Sequence, residues 1–282
     1  MAKTDKEKIE IELDNKEKAL AQAPVIVSAS RSTDIPAFYC DWFFHRLKVG
    51  YSAWTNPFNK KDMYVSYAKT RFIVFWSKNP RPLLEHIDEL KARGIGCYIQ
   101  YSLNDYEEEK LERGVPPLAE RIETFKKLVD VLGKGSVIWR FDPLVLTEDI
   151  TIEKLLNKIE NIGDQLKGYT EKLVFSFVDI LSYNKVKNNL KANGISFVDW
   201  TEEQMAEFAS RLVALNKEKG WNYKLATCGE RGRYPGVEPN HCIDDVLIIK
   251  KSFHDKELMN YLKAEIKPMP PRDMFTNTIT LP

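Results

Sequence analysis

Short apolar runs, each closed by a polar residue or a turn signal, alternate along most of this chain with stretches of helical periodicity. The extended runs cover 24–31, 51–57, 71–80, 97–103, 136–144, 172–179 and 221–230, and β-branched and aromatic residues dominate them. Asp34 is placed to cap a helix running to about Lys48, which Gly50 ends. Leu83, Leu84, Ile87 and Leu90 form one face of a helix over 82–93. Leu118, Ile122, Phe125, Leu128 and Val129 do the same over 116–132. Thr151 opens a helix over 152–166, and Thr201 with Gln204 fits a capping box for the next. A further helix runs from Cys242-Ile243-Asp244-Asp245 to about Phe253.

The connections between extended runs are too long for hairpins, so the strands should lie parallel under covering helices. Their nearly unbroken apolar character implies burial on both faces. The expected fold is therefore α/β, a parallel β/α barrel of the TIM type, closed or incomplete because no eighth strand is visible. A doubly wound open sheet is the alternative. Residues 1–20 read as a charged N-terminal arm, 21–266 as the barrel domain and 267–282 as an irregular tail.

Every extended run ends in something unusual. Ser30 and Arg31 close the first, Asn56 the second, Lys78 and Asn79 the third and Gln100 stands in the fourth. Arg140 and Asp142 interrupt the fifth before Pro143, and on period-two geometry they point to the same side. Asp179 ends the sixth, and Cys228 and Glu230 the seventh. In a parallel barrel these ends form one ring, the face that carries active sites. Arg31, Lys78 and Arg140 would make that mouth cationic and suited to a small anionic or zwitterionic ligand. Asp142, Asp179 and Glu230 could act as bases or tune the cations. Taken singly, each could instead be a rim ion pair. Trp54, Trp76 and Trp139 are either a stacking surface or core residues.

Composition narrows the classes. The 282 residues carry 42 Lys and Arg against 41 Asp and Glu, a net charge of +1, which leaves no basic footprint for nucleic acid. No apolar run approaches the roughly 20 residues needed to span a bilayer, and the N-terminus has no apolar leader, so a cytoplasmic location is expected. The four cysteines, Cys40, Cys97, Cys228 and Cys242, are too scattered for a secreted disulfide framework. Cys228 and Cys242 are candidate metal ligands with His241 as a third, although two thiolates alone do not complete a zinc or iron–sulfur site. No dinucleotide fingerprint, P-loop, nucleophile elbow or His-Glu-x-x-His is present.

Several motifs resemble those of a bacterial family, domain-of-unknown-function family 1848. They are Ser28-Ala29-Ser30-Arg31-Ser32-Thr33-Asp34-Ile35-Pro36-Ala37-Phe38-Tyr39, Asn56-Pro57-Phe58-Asn59, Phe75-Trp76-Ser77-Lys78-Asn79-Pro80 and Trp139-Arg140-Phe141-Asp142-Pro143. Ser176-Phe177-Val178-Asp179, Cys228-Gly229-Glu230 and His241-Cys242-Ile243-Asp244 follow in order. The resemblance implies kinship with radical S-adenosylmethionine enzymes, in particular the spore photoproduct lyase-like group. Members of the family typically carry a C-terminal segment with three cysteines. Such thiolates would hold a [4Fe–4S] cluster with one iron open to S-adenosylmethionine. This chain departs from that pattern, because no cysteine follows Cys242 before Pro282. Either the sequence is cut before the cluster segment or this member lacks the cluster. The first functional expectation is thus a radical S-adenosylmethionine-like iron–sulfur barrel protein with a cationic pocket. The second is a cluster-independent isomerase, lyase or hydrolase acting on a phosphate- or carboxylate-bearing molecule, and the third a non-catalytic ligand-binding protein.

Overall fold

The computed structural model describes residues 8–30, 33–56, 60–178, 187–188, 192, 194–228, 234–265 and 279–281. The chain divides into two compact units, Met1–Gln100 with Ile243–Pro282, and Tyr101–Cys242.

The first unit holds two kinds of sheet. In one, β1 (Lys8–Glu12), β2 (Lys18–Gln22), β4 (Tyr51–Thr55) and β5 (Asp62–Ser66) are ordered β1-β2-β5-β4. β1 and β2 pair antiparallel, as do β4 and β5. The charged arm expected at the N-terminus is therefore, from Lys8 onward, a strand that alternates half-buried and exposed positions. The run at 51–57 does not enter the parallel sheet. Ala53 and Thr55 are exposed on β4, so the strand has one wet face, which suits an antiparallel ladder and not a doubly covered one.

The other sheet has β3 (Ile26–Ala29) between β6 (Phe72–Ser77) and β12 (Ile279–Leu281), parallel to both. All of β3 is buried, as an interior parallel strand requires. β12 falls within the segment read as an irregular tail. The helix expected from Asp34 is interrupted at Tyr39 into α1 (Ile35–Phe38) and α2 (Cys40–Val49), and Gly50 takes a φ of 99° to end it. The segment over 82–93 opens as a 3-10 turn at Arg81–Glu85 before α3 (Ile87–Ala92). α7 (Asp245–Ser252) begins where the spacing predicts, capped by the Asp244 side chain, and α8 (Lys256–Glu265) follows it.

In the second unit β8 (Val137–Leu144), β9 (Lys172–Phe177), β10 (Lys224–Thr227) and β11 (Glu238–Pro239) lie side by side, all parallel. α4 (Leu118–Leu132), α5 (Ile152–Leu166) and α6 (Glu202–Glu218) connect and cover them. Thr151 caps α5 by accepting from the Lys154 amide, and Thr201 with Gln204 forms the full capping box of α6. Phe125, Leu128, Trp139, Phe141, Leu155, Ile159, Leu173, Phe175, Phe208 and Leu212 make the core. Gly163 on α5 matters here, because a Cβ at that position would stand 2.6 Å from the Trp221 ring. β7 (Gly96–Ser102) begins in the first unit and ends in the second.

The protein is thus α/β, with a parallel sheet whose strands alternate with helices. The barrel is corrected: among the described residues no pairing closes a ring. β11 is paired only with β10, and β12 only with β3. A run of strand and helix signals fixes alternation and local direction, but closure depends on tilt and stagger between strands, which no local pattern encodes.

Candidate functional site

The side chains that converge in the second unit come from the C-terminal ends of β8, β9 and β10. That end is where parallel α/β sheets gather their ligands. Arg140 and Asp142 are two positions apart on β8 and point to the same side, as their spacing predicts. Arg140 is only 3% exposed. Its Nε donates to Asp142 Oδ2 at 3.2 Å, and its Nη2 donates to the same oxygen. Nη2 also donates to the sulfur of Cys228, which follows β10, at 3.2 Å. Burial works against the guanidinium charge, but the Cys228 sulfur and the Asp142 carboxylate hold its pKa above the ordinary value.

Asp142 is itself fixed on three sides. Oδ1 accepts from the hydroxyl of Ser176 on β9. Its backbone amide donates to Asn104 Oδ1 at 2.8 Å, and its carbonyl accepts from Asn104 Nδ2 at 3.1 Å. The Asp142–Pro143 peptide is cis, and the β8–β9 ladder shifts register between Phe141 and Leu144. The Tyr106 hydroxyl donates to the Pro143 carbonyl at 2.8 Å just beyond.

Cys228 is the centre of the cluster. Its sulfur accepts from Arg140, from Asn240 Nδ2 at 3.1 Å and from the thiol of Cys242. The Cys242 hydrogen bond, with the Arg140 charge behind it, outweighs burial and brings the Cys228 thiol down to about 6. Cys242 moves the opposite way, because its proton is held in that bond. The pair is thus polarised, with Cys228 the acceptor and Cys242 the holder of the shared proton. Two oxygens nearby on the sequence, Thr227 Oγ1 and Asn240 Oδ1, are buried and have no hydrogen-bond partner among the described residues. Such groups call for a water or a ligand.

Arg31, Asp179 and Glu230 lie outside the described residues. In the first unit Ser30, buried with a φ of 127°, accepts from the Ile35 amide at 3.2 Å. Lys78 donates its amide to Asp34 Oδ2 at 2.7 Å, and Asn79 donates its own to Ser77 Oγ at 2.9 Å. Asn56 sits in the turn between β4 and β5, where its amide and carbonyl bond to Lys61 and Lys60, so it does not end a strand of the parallel sheet. Gln100 is buried on β7. Trp139 is a core residue, fully buried, with its indole N–H on the Leu103 carbonyl at 2.9 Å. Ser176, Asn104 and Asn240 are the members that residue-by-residue reading missed. Ser176 stands in a motif already singled out, whereas nothing in the local sequence marks Asn104 or Asn240.

A [4Fe–4S] cluster bound through its usual three thiolates does not fit the described residues. Cys228 and Cys242 meet, whereas Cys40 and Cys97 are held protonated by burial, each pushed up to about 12. No group of three or more His, Cys, Asp or Glu side chains suited to a metal ion forms among the described residues. Nor is any helix among them long and apolar enough to cross a membrane.

These features define an α/β protein with a polarised cysteine pair at the C-terminal ends of its parallel strands. No curated protein and no solved structure matches the chain. A family model does, over residues 26–270, and the chain belongs to that family, described as Domain of unknown function (DUF1848).

Proposed function

We propose that the protein is a cluster-independent enzyme that acts on a small molecule through Cys228. The observation that carries this reading is the set of three donors on one sulfur: the Arg140 guanidinium, the Asn240 amide and the Cys242 thiol. A thiolate held this way is a ready nucleophile near neutral pH. Cys242, protonated and exposed, is placed to return a proton to a leaving group. Asp142, bound to Ser176 and Arg140, keeps the guanidinium facing the sulfur. The two unpartnered oxygens, Thr227 Oγ1 and Asn240 Oδ1, favour a substrate that donates hydrogen bonds. The substrate in this reading has an electrophilic carbon. Any carboxylate or phosphate on it would have to share Arg140 with Asp142 and Cys228, so a small anionic or zwitterionic ligand would be held less firmly than by an uncommitted guanidinium.

The test is alkylation of the reduced protein by iodoacetamide across pH, followed at Cys228 by mass spectrometry. The rate should rise with a midpoint near 6. C242A should move that midpoint upward, and C242S, which keeps a donor, should move it less. A midpoint near the ordinary 9.0 sinks the reading.

The second reading is the iron–sulfur, S-adenosylmethionine-dependent one implied by the family motifs. In its favour, two cysteines far apart in sequence meet at the strand ends. It needs a third thiolate, and iron and sulfide in anaerobically purified protein would be its signature.

A further inference from the structure

The proximity of Cys228 and Cys242 has a definite structural cause. They are fourteen residues apart, and the chain between them returns as β11, which pairs parallel with β10 in the register Ala226 to Glu238 and Thr227 to Pro239. The Asn240 amide extends that ladder by donating to the Thr227 carbonyl at 2.9 Å. Cys228 follows β10 directly and the register sets Asn240 opposite it, so Cys242 lies two residues beyond the position paired with Cys228. Cys242 is exposed and Cys228 half-buried, so a small reagent can reach the pair. Cys40, buried in α2, and Cys97, on β7, take no part.

We propose that Cys228 and Cys242 form a reversible dithiol–disulfide couple that reduces small disulfides and is closed by them. This rests on the same site as the nucleophile reading and extends it to a second class of substrate. The Cys228 thiolate attacks one sulfur of a disulfide RSSR, forms a mixed disulfide and expels RS⁻. Cys242 then gives up its proton to solvent, and its thiolate attacks the Cys228 sulfur. That step forms the Cys228–Cys242 bond and releases the second RS⁻. The two protein thiols lose two electrons in all, and RSSR gains them. Closing the bond also removes the thiolate that Arg140 and Asn240 face, so the oxidised protein has no nucleophile at this site. The intact chain is thereby switched off under oxidising conditions and restored by a dithiol.

Oxidised glutathione is the probe, applied to the reduced 282-residue chain. Two of the four thiols should disappear on titration in denaturant, and dithiothreitol should restore them. Proteolysis and mass spectrometry should find one cross-link, between Cys228 and Cys242, with Cys40 and Cys97 unmodified. C242S should stop at a Cys228–glutathione mixed disulfide. Wild-type protein that loses no thiol, or that accumulates only mixed disulfides, overturns the proposal. The two readings fail separately. A cross-link with an alkylation midpoint near 9 leaves the couple and ends the nucleophile, whereas a midpoint near 6 with no cross-link does the reverse.

Discussion

Two buried arginines in the second unit make opposite use of the same side chain. Arg140 is 3% exposed and Arg121, on α4, is 1% exposed. Arg140 donates from two nitrogens to Asp142 and from one of them to Cys228 as well. The guanidinium nitrogens of Arg121 have no hydrogen-bond partner among the described residues, and the carboxylates of Glu107 and Glu112 stand 3.8 Å away. Around Arg121 the loop over 104–114 is strongly acidic. Lys158, itself buried, lies 3.3 Å from Glu109 and 3.8 Å from Asp105, and Lys154 lies 2.8 Å from Glu109. The two lysines therefore pair with Glu109, whereas Arg121 sits among the loop's carboxylates without a hydrogen bond to any of them. Arg140 is aimed, through a carboxylate that holds its plane, at a sulfur. Burial of a cation is costly in both places. Only at Arg140 is the charge arranged to alter the chemistry of a neighbour.

The comparison breaks or sharpens under substitution. R140M should have the largest effect, a loss of about 3–5 kcal/mol in urea unfolding, because it strands a carboxylate and a thiolate. The surviving folded fraction should also alkylate at Cys228 with a raised midpoint. R121M should cost less, about 1–2 kcal/mol, since it removes unsatisfied donors along with the charge. Its Cys228 midpoint should stay where it is in the parent. Equal losses in the two variants, or a moved midpoint in R121M, would erase the distinction drawn here.

The smallest effect is on pH dependence, where the two regions separate by window. Cys228 has a folded pKa of about 6 against an ordinary 9.0. Between those values the unfolded chain keeps a proton that the folded chain has lost, so stability rises with pH through that window and is fully present above it. It is lost again as pH falls through 6. Cys242 is shifted upward, so its own contribution is present below pH 9 and declines above. Parent stability measured against C228S should therefore climb from pH 6 and turn over near 9. Glu109 answers in acid. Burial raises its pKa, but Lys154 and Lys158 bring it below 4.5, so its contribution is lost as pH falls below that value. Unfolding of an E109Q reference across pH 3 to 6 checks that half.

Much of the architecture was legible beforehand. Thr151 and Thr201 cap the helices they were expected to cap, because capping depends on four consecutive residues. Asp244 likewise starts α7. The run 51–57 was extended as expected yet joined β5 in a different sheet. A strand signal states that the backbone is extended and says nothing about its partner. For the site, the shared side of Arg140 and Asp142 followed from a two-residue period. That the charge of Arg140 is answered within the protein by Asp142 and Cys228 was not legible in the same way.

By itself, then, the sequence determined the quantities set within a few residues: which segments extend, which coil, where helices begin, and that two opposite charges share one side of β8. Tertiary structure alone decided that the sheet stays open among the described residues, that β4 leaves it, and that Cys228 meets Cys242 under Arg140 and Asn240. The physical reason is one of range. Backbone preference and side-chain period act between neighbours, whereas strand partners and the donors around a buried sulfur are chosen by packing among residues up to 88 positions apart.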